Sequence, residues 1–190
     1  MRRIVASVNV SLDGFVAGPD GEMDWHTNYW TAGMAERLCL QLSEADTILL
    51  GRNTYTAMAA YWPKMNRDLC YPREDLAFAC LMNDYEKVVV SKTLKKLQWH
   101  NSILLNRNLS DRLWELKNRP GRDIIVFGSI TLLRYLLKNG LVEELLLWLH
   151  PVVLGKGLTL FDSGKFELNL VSQYRFSSGV VLFCYSVKPN

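Results

Sequence analysis

One device occurs twice in this chain: a five-residue run built for a strand, a glycine, then a segment built for a helix. Asp46 to Leu50 (DTILL) is stopped by Gly51, and Thr54 to Tyr61 beyond it holds many alanines and few strand formers. Asp123 to Phe127 (DIIVF) is stopped by Gly128, with Ser129 as N-cap of a helix that runs to Lys138 and closes at Gly140. Apolar strands that pass through tight turns into helices bury both sheet faces by lying side by side under those helices.

The remaining segments extend this pattern. Arg3 to Val10 (RIVASVNV) reads as an opening, central strand, followed by a turn at Ser11 to Gly14 and a glycine-punctuated stretch to Gly21. Thr31 to Ser43 has helical spacing at Met34, Leu38 and Leu42. Trp62 to Pro72 reads as an irregular excursion, followed by a helix over Asp75 to Asn83 and strands at Lys87 to Val90 and Ser102 to Leu105. Ser110 caps a helix to Lys117, Glu144 to Leu154 is a long apolar strand, and Glu167 to Phe176 and Val180 to Val187 form a closing hairpin around Ser177-Ser178-Gly179. The expectation is a mixed sheet covered on both faces by helices, with an antiparallel end.

With 190 residues and 21.8 kDa there is room for one ordinary domain, and the absence of a linker, repeat or low-complexity tract favours a single domain over residues 1–190. A 49% hydrophobic, 22% charged chain can bury a core. Its net charge of +3 is carried by scattered basic residues, which argues against nucleic-acid binding. The four cysteines contain no CxxC pair, and Met1-Arg2-Arg3 enters the first strand without a signal-like apolar stretch. No apolar run is long enough to span a membrane, so a cytoplasmic protein is expected. His26, His100 and His150 show no HExxH spacing, and no Cys/His cluster suggests zinc, so no metal is expected.

Chemistry should sit at the carboxyl ends of the strands, where glycine turns and helix N-termini aim unpaired N–H groups at one place. Gly51-Arg52-Asn53-Thr54 offers a close-approach glycine, a guanidinium and a hydroxyl beside such donors, and Gly128-Ser129-Ile130-Thr131 repeats the arrangement. Ser91-Lys92-Thr93, after the strand KVVV, places a hydroxyl and an ammonium where they could hold a ribose phosphate. There is no complete GxGxxG and no Walker motif, so the usual dinucleotide and ATP fingerprints are absent.

Five ordered segments, SLDGFVAGPDGEMDW (Ser11 to Trp25), ILLGRNTY (Ile48 to Tyr55), VVVSKTL (Val88 to Leu94), IIVFGS (Ile124 to Ser129) and GLVEELLLWLHPVVLGKGLTLF (Gly140 to Phe161), carry a family resemblance over nearly the whole chain. The chain resembles the dihydrofolate reductase-like fold, and within it the reductase domain of bacterial riboflavin biosynthesis and its stand-alone relatives. The resemblance implies a three-layer α/β/α domain with a mixed, mostly parallel sheet and an antiparallel C-terminal hairpin. It also implies NADPH across the carboxyl edge, with hydride passing to a C=N or C=O bond of a pterin-like or pyrimidine heterocycle.

By position, Gly51 to Thr54 resembles the family's pyrophosphate turn, Ser91-Lys92 its 2′-phosphate contact, and Gly128 to Leu132 (with Ser129, Ile130 and Thr131) its second phosphate and nicotinamide-side turn. Asn9 and Trp25 resemble residues lining the cofactor. For proton delivery the candidates are Glu36, in the first helix as in dihydrofolate reductases, and Asp13, in the shared SLDG turn. Against these stand a solvated helix face for Glu36, a plain turn role for Asp13, and water as the source. Val126 stands where the riboflavin enzymes carry a substrate-contacting acid, which points to a different reducible compound. The strand Leu145 to Leu149 is apolar on both faces, and with the family's habit it implies a homodimer. The competing readings are a nucleotide-binding module without turnover and, on the apolar strand alone, a subunit-interaction protein.

Overall fold

The computed structural model describes residues 1–65, 73–162 and 165–188. In chain order the strands are β1 (Ile4–Ser11), β2 (Phe15–Ala17), β3 (Ala45–Gly51), β4 (Glu86–Val90), β5 (Ser102–Leu105), β6 (Asp123–Phe127), β7 (Glu144–His150), β8 (Leu158–Thr159), β9 (Leu168–Arg175) and β10 (Val181–Val187). The helices are α1 (Ala32–Ser43), α2 (Arg52–Met65), α3 (Arg73–Asp84), α4 (Leu109–Asn118) and α5 (Ile130–Lys138), with a 3-10 turn at Asp24–Tyr29.

Eight strands form one sheet in the order β5-β4-β3-β6-β1-β7-β10-β9. Neighbours from β5 to β7 run parallel, and β10 is antiparallel to both β7 and β9. The expected fold class holds: an α/β protein with a mostly parallel mixed sheet and antiparallel C-terminal strands. β1 lies between β6 and β7 and is central, as its β-branched sequence requires.

Because successive side chains of a strand point to opposite faces, β1 feeds two cores. Ile4, Ala6, Val8 and Val10 pack with Leu113 and Leu116 of α4 and Leu133 and Leu136 of α5. Val5 faces the other way, where Ile48, Leu50, Ile125 and Trp148 meet Met34, Leu38 and Leu42 of α1 and Phe78 and Met82 of α3. Thr31 caps α1, its hydroxyl oxygen accepting from the Met34 N–H at 3.3 Å.

Three local expectations are corrected, and one small element was not expected. The long strand ends at His150 instead of Leu154, because Pro151 has no N–H for the ladder. α2 continues through Trp62-Pro63 to Met65, its Trp62 ring packed at 4.9 Å on Phe78 and its Trp62 carbonyl accepting from Asn83. The rest of that expected irregular stretch, with Cys70, lies outside the described residues. The α4 cap position falls to Asn108, in left-handed backbone, and not to Ser110. The small β2–β8 pair is absent from the sequence reading; three-residue and two-residue strands carry too little periodicity to be seen.

Candidate active site at the carboxyl edge

The two strand-glycine-helix units meet. β3 and β6 are neighbours, yet α2 packs on the α1/α3 face of the sheet and α5 on the α4 face. The chain therefore leaves adjacent strands in opposite directions, which opens a crevice at their carboxyl ends. Gly51 ends β3 and Arg52 begins α2 with no residue between. After β6, Gly128 (φ 51°) and Ser129 (φ 53°) are consecutive left-handed residues that turn the chain into α5.

Ser129 occupies the N-cap position expected of it, but its side chain does not cap α5. Its Oγ instead accepts the Gly51 N–H at 2.9 Å, a bond between residues 78 positions apart. A Cβ on Gly51 would lie 3.5 Å from Ser129 Cβ, and one on Gly128 would lie 3.9 Å from Thr54 Oγ1, so both turns pack against each other. The Ser129 carbonyl takes the Leu133 N–H at 2.9 Å, and helix geometry leaves the N–H groups of Ile130, Thr131 and Leu132 without an intrahelical acceptor. The result is two positive helix ends side by side, suited to an anion.

Arg52 extends this edge toward β4. Its Nη1 donates to Thr93 Oγ1 at 2.8 Å and its Nε to Asn53 Oδ1 at 3.2 Å, both on the exposed surface. Ser91 is turned inward: its buried Oγ accepts the N–H groups of Thr93 (3.2 Å) and Leu94 (3.0 Å), closing the turn after β4. Of the Ser91-Lys92 pair, only Lys92 is exposed.

Toward β1 and β7 the edge changes from cationic to aromatic. His150 closes β7 opposite Ser11 of β1. Its Nε2 lies 3.0 Å from Asn9 Oδ1. The 3-10 turn brings three rings onto it: Trp25 edge-on at 5.3 Å, Tyr29 at 5.6 Å and His26 at 5.9 Å. Burial, and secondarily the nearby His26, push the His150 imidazole down to about 4, so it is neutral, and because an amide oxygen can only accept, the contact with Asn9 Oδ1 assigns the ring proton to Nε2. Its Nδ1 and the Trp25 Nε1 are both buried without a hydrogen-bond partner. Asn9 and Trp25 are thus joined through a histidine that sequence reading examined only for metal spacing. The usable signal was a histidine at the carboxyl end of a buried strand, just before a proline.

The two carboxylate candidates for proton delivery, Asp13 and Glu36, lie in exposed surroundings of different kinds. Asp13 is exposed and fully engaged: Oδ1 accepts from Ser11 Oγ at 2.6 Å and from the Leu154 N–H at 3.2 Å, and Oδ2 from the Gly155 N–H at 2.8 Å. The Ser11 hydroxyl, followed by those amides, holds its carboxyl below the usual range, the wrong direction for an acid at neutral pH. It ties the turn after β1 to the loop after β7. Glu36 is exposed on α1; after burial itself, its charge and that of Asp75 on α3 are what raise the Cys39 thiol. Nothing buries Glu36 as a proton-donating carboxyl requires.

A cavity of about 390 Å³ opens at the opposite, amino edge of the sheet, lined by Val5, Arg37, Gln41, Ile125 and Leu146 with Arg3 at its side. Arg3 is paired there with Asp123 and Glu144, while Arg37 Nε and both side-chain amide atoms of Gln41 are buried without a hydrogen-bond partner.

Comparison with known proteins agrees with this fold. A model of the RibD C-terminal domain matches residues 2–182. YyaP of Bacillus subtilis, an uncharacterized protein, is 37% identical over 186 residues, 97% of this chain and 94% of its own. Among solved structures, a protein named for riboflavin biosynthesis from Shewanella sp. PV-4 superposes with TM-score 0.70 at 21% identity, covering 99% of both chains. The riboflavin biosynthesis reductase Rib7 of Saccharomyces cerevisiae gives 0.60 at 15% identity, covering 98% of this chain and 90% of its own. Dihydrofolate reductase from Enterococcus faecalis, solved with NADP(H), gives 0.61 at 13% identity, covering 98% and 96%.

Proposed function

The chain belongs to the RibD C-terminal domain family, and from that premise we propose that it is an NADPH-dependent reductase of a small pterin-like or pyrimidine heterocycle. The observation that carries this reading is the Gly51–Ser129 bond, which brings the N-termini of α2 and α5 together at the crevice between β3 and β6. The N–H groups and dipoles of helix N-termini favour a dinucleotide pyrophosphate, and two ends side by side offer more donors than one. The Enterococcus faecalis neighbour, which holds NADP(H), supports the choice of cofactor.

In this reading the N–H groups of Asn53 and Thr54 and those of Ile130 to Leu132 hold the pyrophosphate. Gly51, Gly128 and Ser129 let the backbone approach closely. Arg52, steadied by Thr93, and Lys92 hold the 2′-phosphate, while Ser91 only shapes their turn. Asn9 and Trp25 line the reacting end. NADPH bound there supplies a hydride to the C=N or C=O carbon. The chain orients the acceptor against the β1 and β7 ends, and water at the open edge returns the proton, since Asp13 is committed to the Leu154–Gly155 loop.

The test is a fluorescence titration with NADPH, followed by loss of NADPH absorbance across a panel of pteridines and pyrimidines. Saturable binding with turnover supports the reading. Tight binding without turnover on any compound makes this a nucleotide-binding module, and no binding overturns the proposal.

A homodimer belongs to the same reading. On the sheet face beside α5, Leu147 and Leu149 of β7 and the stacked Phe183 and Tyr185 of β10 are only partly covered, and Leu170 of β9, opposite Tyr185, is 53% exposed. Apolar groups grouped this way on a sheet mark an interface. Sedimentation equilibrium should give twice the chain mass, reduced to one chain mass in Leu170→Glu; a single-chain mass for the unaltered protein rules the dimer out.

A further inference from the structure

His150 takes no part in the anion-holding turns. His150 is 1% exposed and neutral, its Nε2–H donates to Asn9, and its Nδ1 has no partner. A buried acceptor left unpaired is a net cost to the fold. β7 could end on any apolar residue without that cost. Against the same ring lies a second orphan of opposite polarity, the Trp25 Nε1–H.

The surroundings narrow what can answer these atoms. A neutral imidazole nitrogen offers a lone pair and no proton, so it repels a phosphate or carboxylate oxygen. The rings of Trp25, His26 and Tyr29 wall the site and favour a flat, uncharged ligand. An amide or lactam supplies an N–H for Nδ1 and a C=O for the indole N–H within one planar group. The 3-10 turn that brings the three rings has no fully buried residue, so it can yield to such a ligand at small cost.

Resting on the reductase reading, we propose that His150 is a specificity-determining residue whose Nδ1 accepts an amide N–H of the bound ligand, with Asn9 fixing the tautomer that leaves Nδ1 bare and Trp25 Nε1 donating to the adjoining carbonyl. The amide has two sources, the nicotinamide carboxamide or the lactam of the heterocycle.

The experiment titrates two matched pairs into the unaltered protein, His150→Asn and His150→Phe. NADPH is set against its 3-acetylpyridine analogue, which has a methyl in place of the carboxamide NH2. Lumazine is set against 1,3-dimethyllumazine in the presence of NADP⁺. The unaltered protein should prefer the N–H member of one pair by about tenfold. His150→Asn, which keeps an acceptor near the δ position, should retain most of that preference, and His150→Phe should lose it. Loss in the first pair identifies the carboxamide, and loss in the second the lactam.

A preference absent from both pairs, or unchanged in His150→Phe, overturns the assignment while leaving the reductase reading intact. Failure of NADPH to bind the unaltered protein overturns both. Should either variant fold poorly, nitrogen-15 histidine spectra of the unaltered protein decide the matter. The His150 Nδ1 resonance moves to lower frequency when it accepts a hydrogen bond, and no movement with NADPH or lumazine counts against the proposal.

Discussion

His150 also makes the clearest single-residue prediction. Its ordinary value of 6.5 falls to about 4 in the folded chain, first through burial and then through His26. Between those values the unfolded chain binds a proton at this ring that the folded chain refuses. Stability is therefore whole above pH 6.5 and declines as pH falls toward 4, by roughly 3 kcal/mol for a shift of this size. Urea midpoints of the unaltered protein and His150→Asn across this window should differ by a slope present only in the former. Parallel curves would mean that the imidazole is solvated. Asp13 shows the converse lesson of residue identity without context. An Asp before Gly is legible as a turn, and the turn is there, but its reach to Leu154 and Gly155, over 141 and 142 positions, is decided by tertiary packing.

At the scale of elements, both strand-glycine-helix units were readable because a strand period, a glycine and a helix period are local signals. Their joining was not. The hydroxyl of Ser129 looked like a local cap and serves a distant amide. Ser129→Ala should leave the Gly51 N–H unpaired, cost about 1–2 kcal/mol in urea unfolding, and weaken NADPH as the two helix ends separate. Unchanged stability would show that the bond is replaced by solvent. The β4 turn carries a second prediction. Arg52→Ala and Lys92→Ala should each weaken NADPH more than NADH, by about 1–3 kcal/mol for a lost charged hydrogen bond. Equal weakening of the two coenzymes would move the 2′-phosphate away from this turn. α2 illustrates where propensity misleads: Pro63 suggests a break, yet tertiary contacts of Trp62 with Phe78 and Asn83 carry the helix past it.

Across the whole molecule the two ends of the sheet are built differently. The amino edge is fastened by charge. Arg2 pairs with Asp46 and donates to Thr47 Oγ1 at 2.7 Å, while Lys117, 1% exposed, donates to Glu143 Oε1 at 2.5 Å and to the Leu141 carbonyl at 3.0 Å. Glu143 Oε2 also takes the Ile4 N–H at 2.7 Å, so one carboxylate locks α4, β1 and the approach to β7. Lys87, fully buried, gives its ammonium to the Met82 and Asn83 carbonyls at 3.1 and 2.6 Å and lies 4.7 Å from the Trp99 ring. Glu143→Gln leaves the Lys117 ammonium buried without its counter-charge and should cost about 2–4 kcal/mol in denaturant unfolding, with NADPH binding at the far edge little changed. A coupled loss of binding would show that the edges are not independent. The carboxyl edge has no such buried ion pairs among the described residues and keeps the two orphan ring nitrogens of Trp25 and His150.

By itself the sequence determined the alternation of strands and helices, the central place of β1, the antiparallel close and the positions of the two strand-glycine-helix turns, since each follows from periodicity or turn chemistry within about a dozen residues. Only the tertiary structure decided which side chains those turns hold: Ser129 on Gly51, Asp13 on the Leu154–Gly155 loop, and His150 between Asn9 and Trp25. The physical reason is separation along the chain. A hydroxyl, carboxylate or imidazole takes whichever partner the packed strands bring within 3 Å, and a central parallel strand brings partners that no local pattern records.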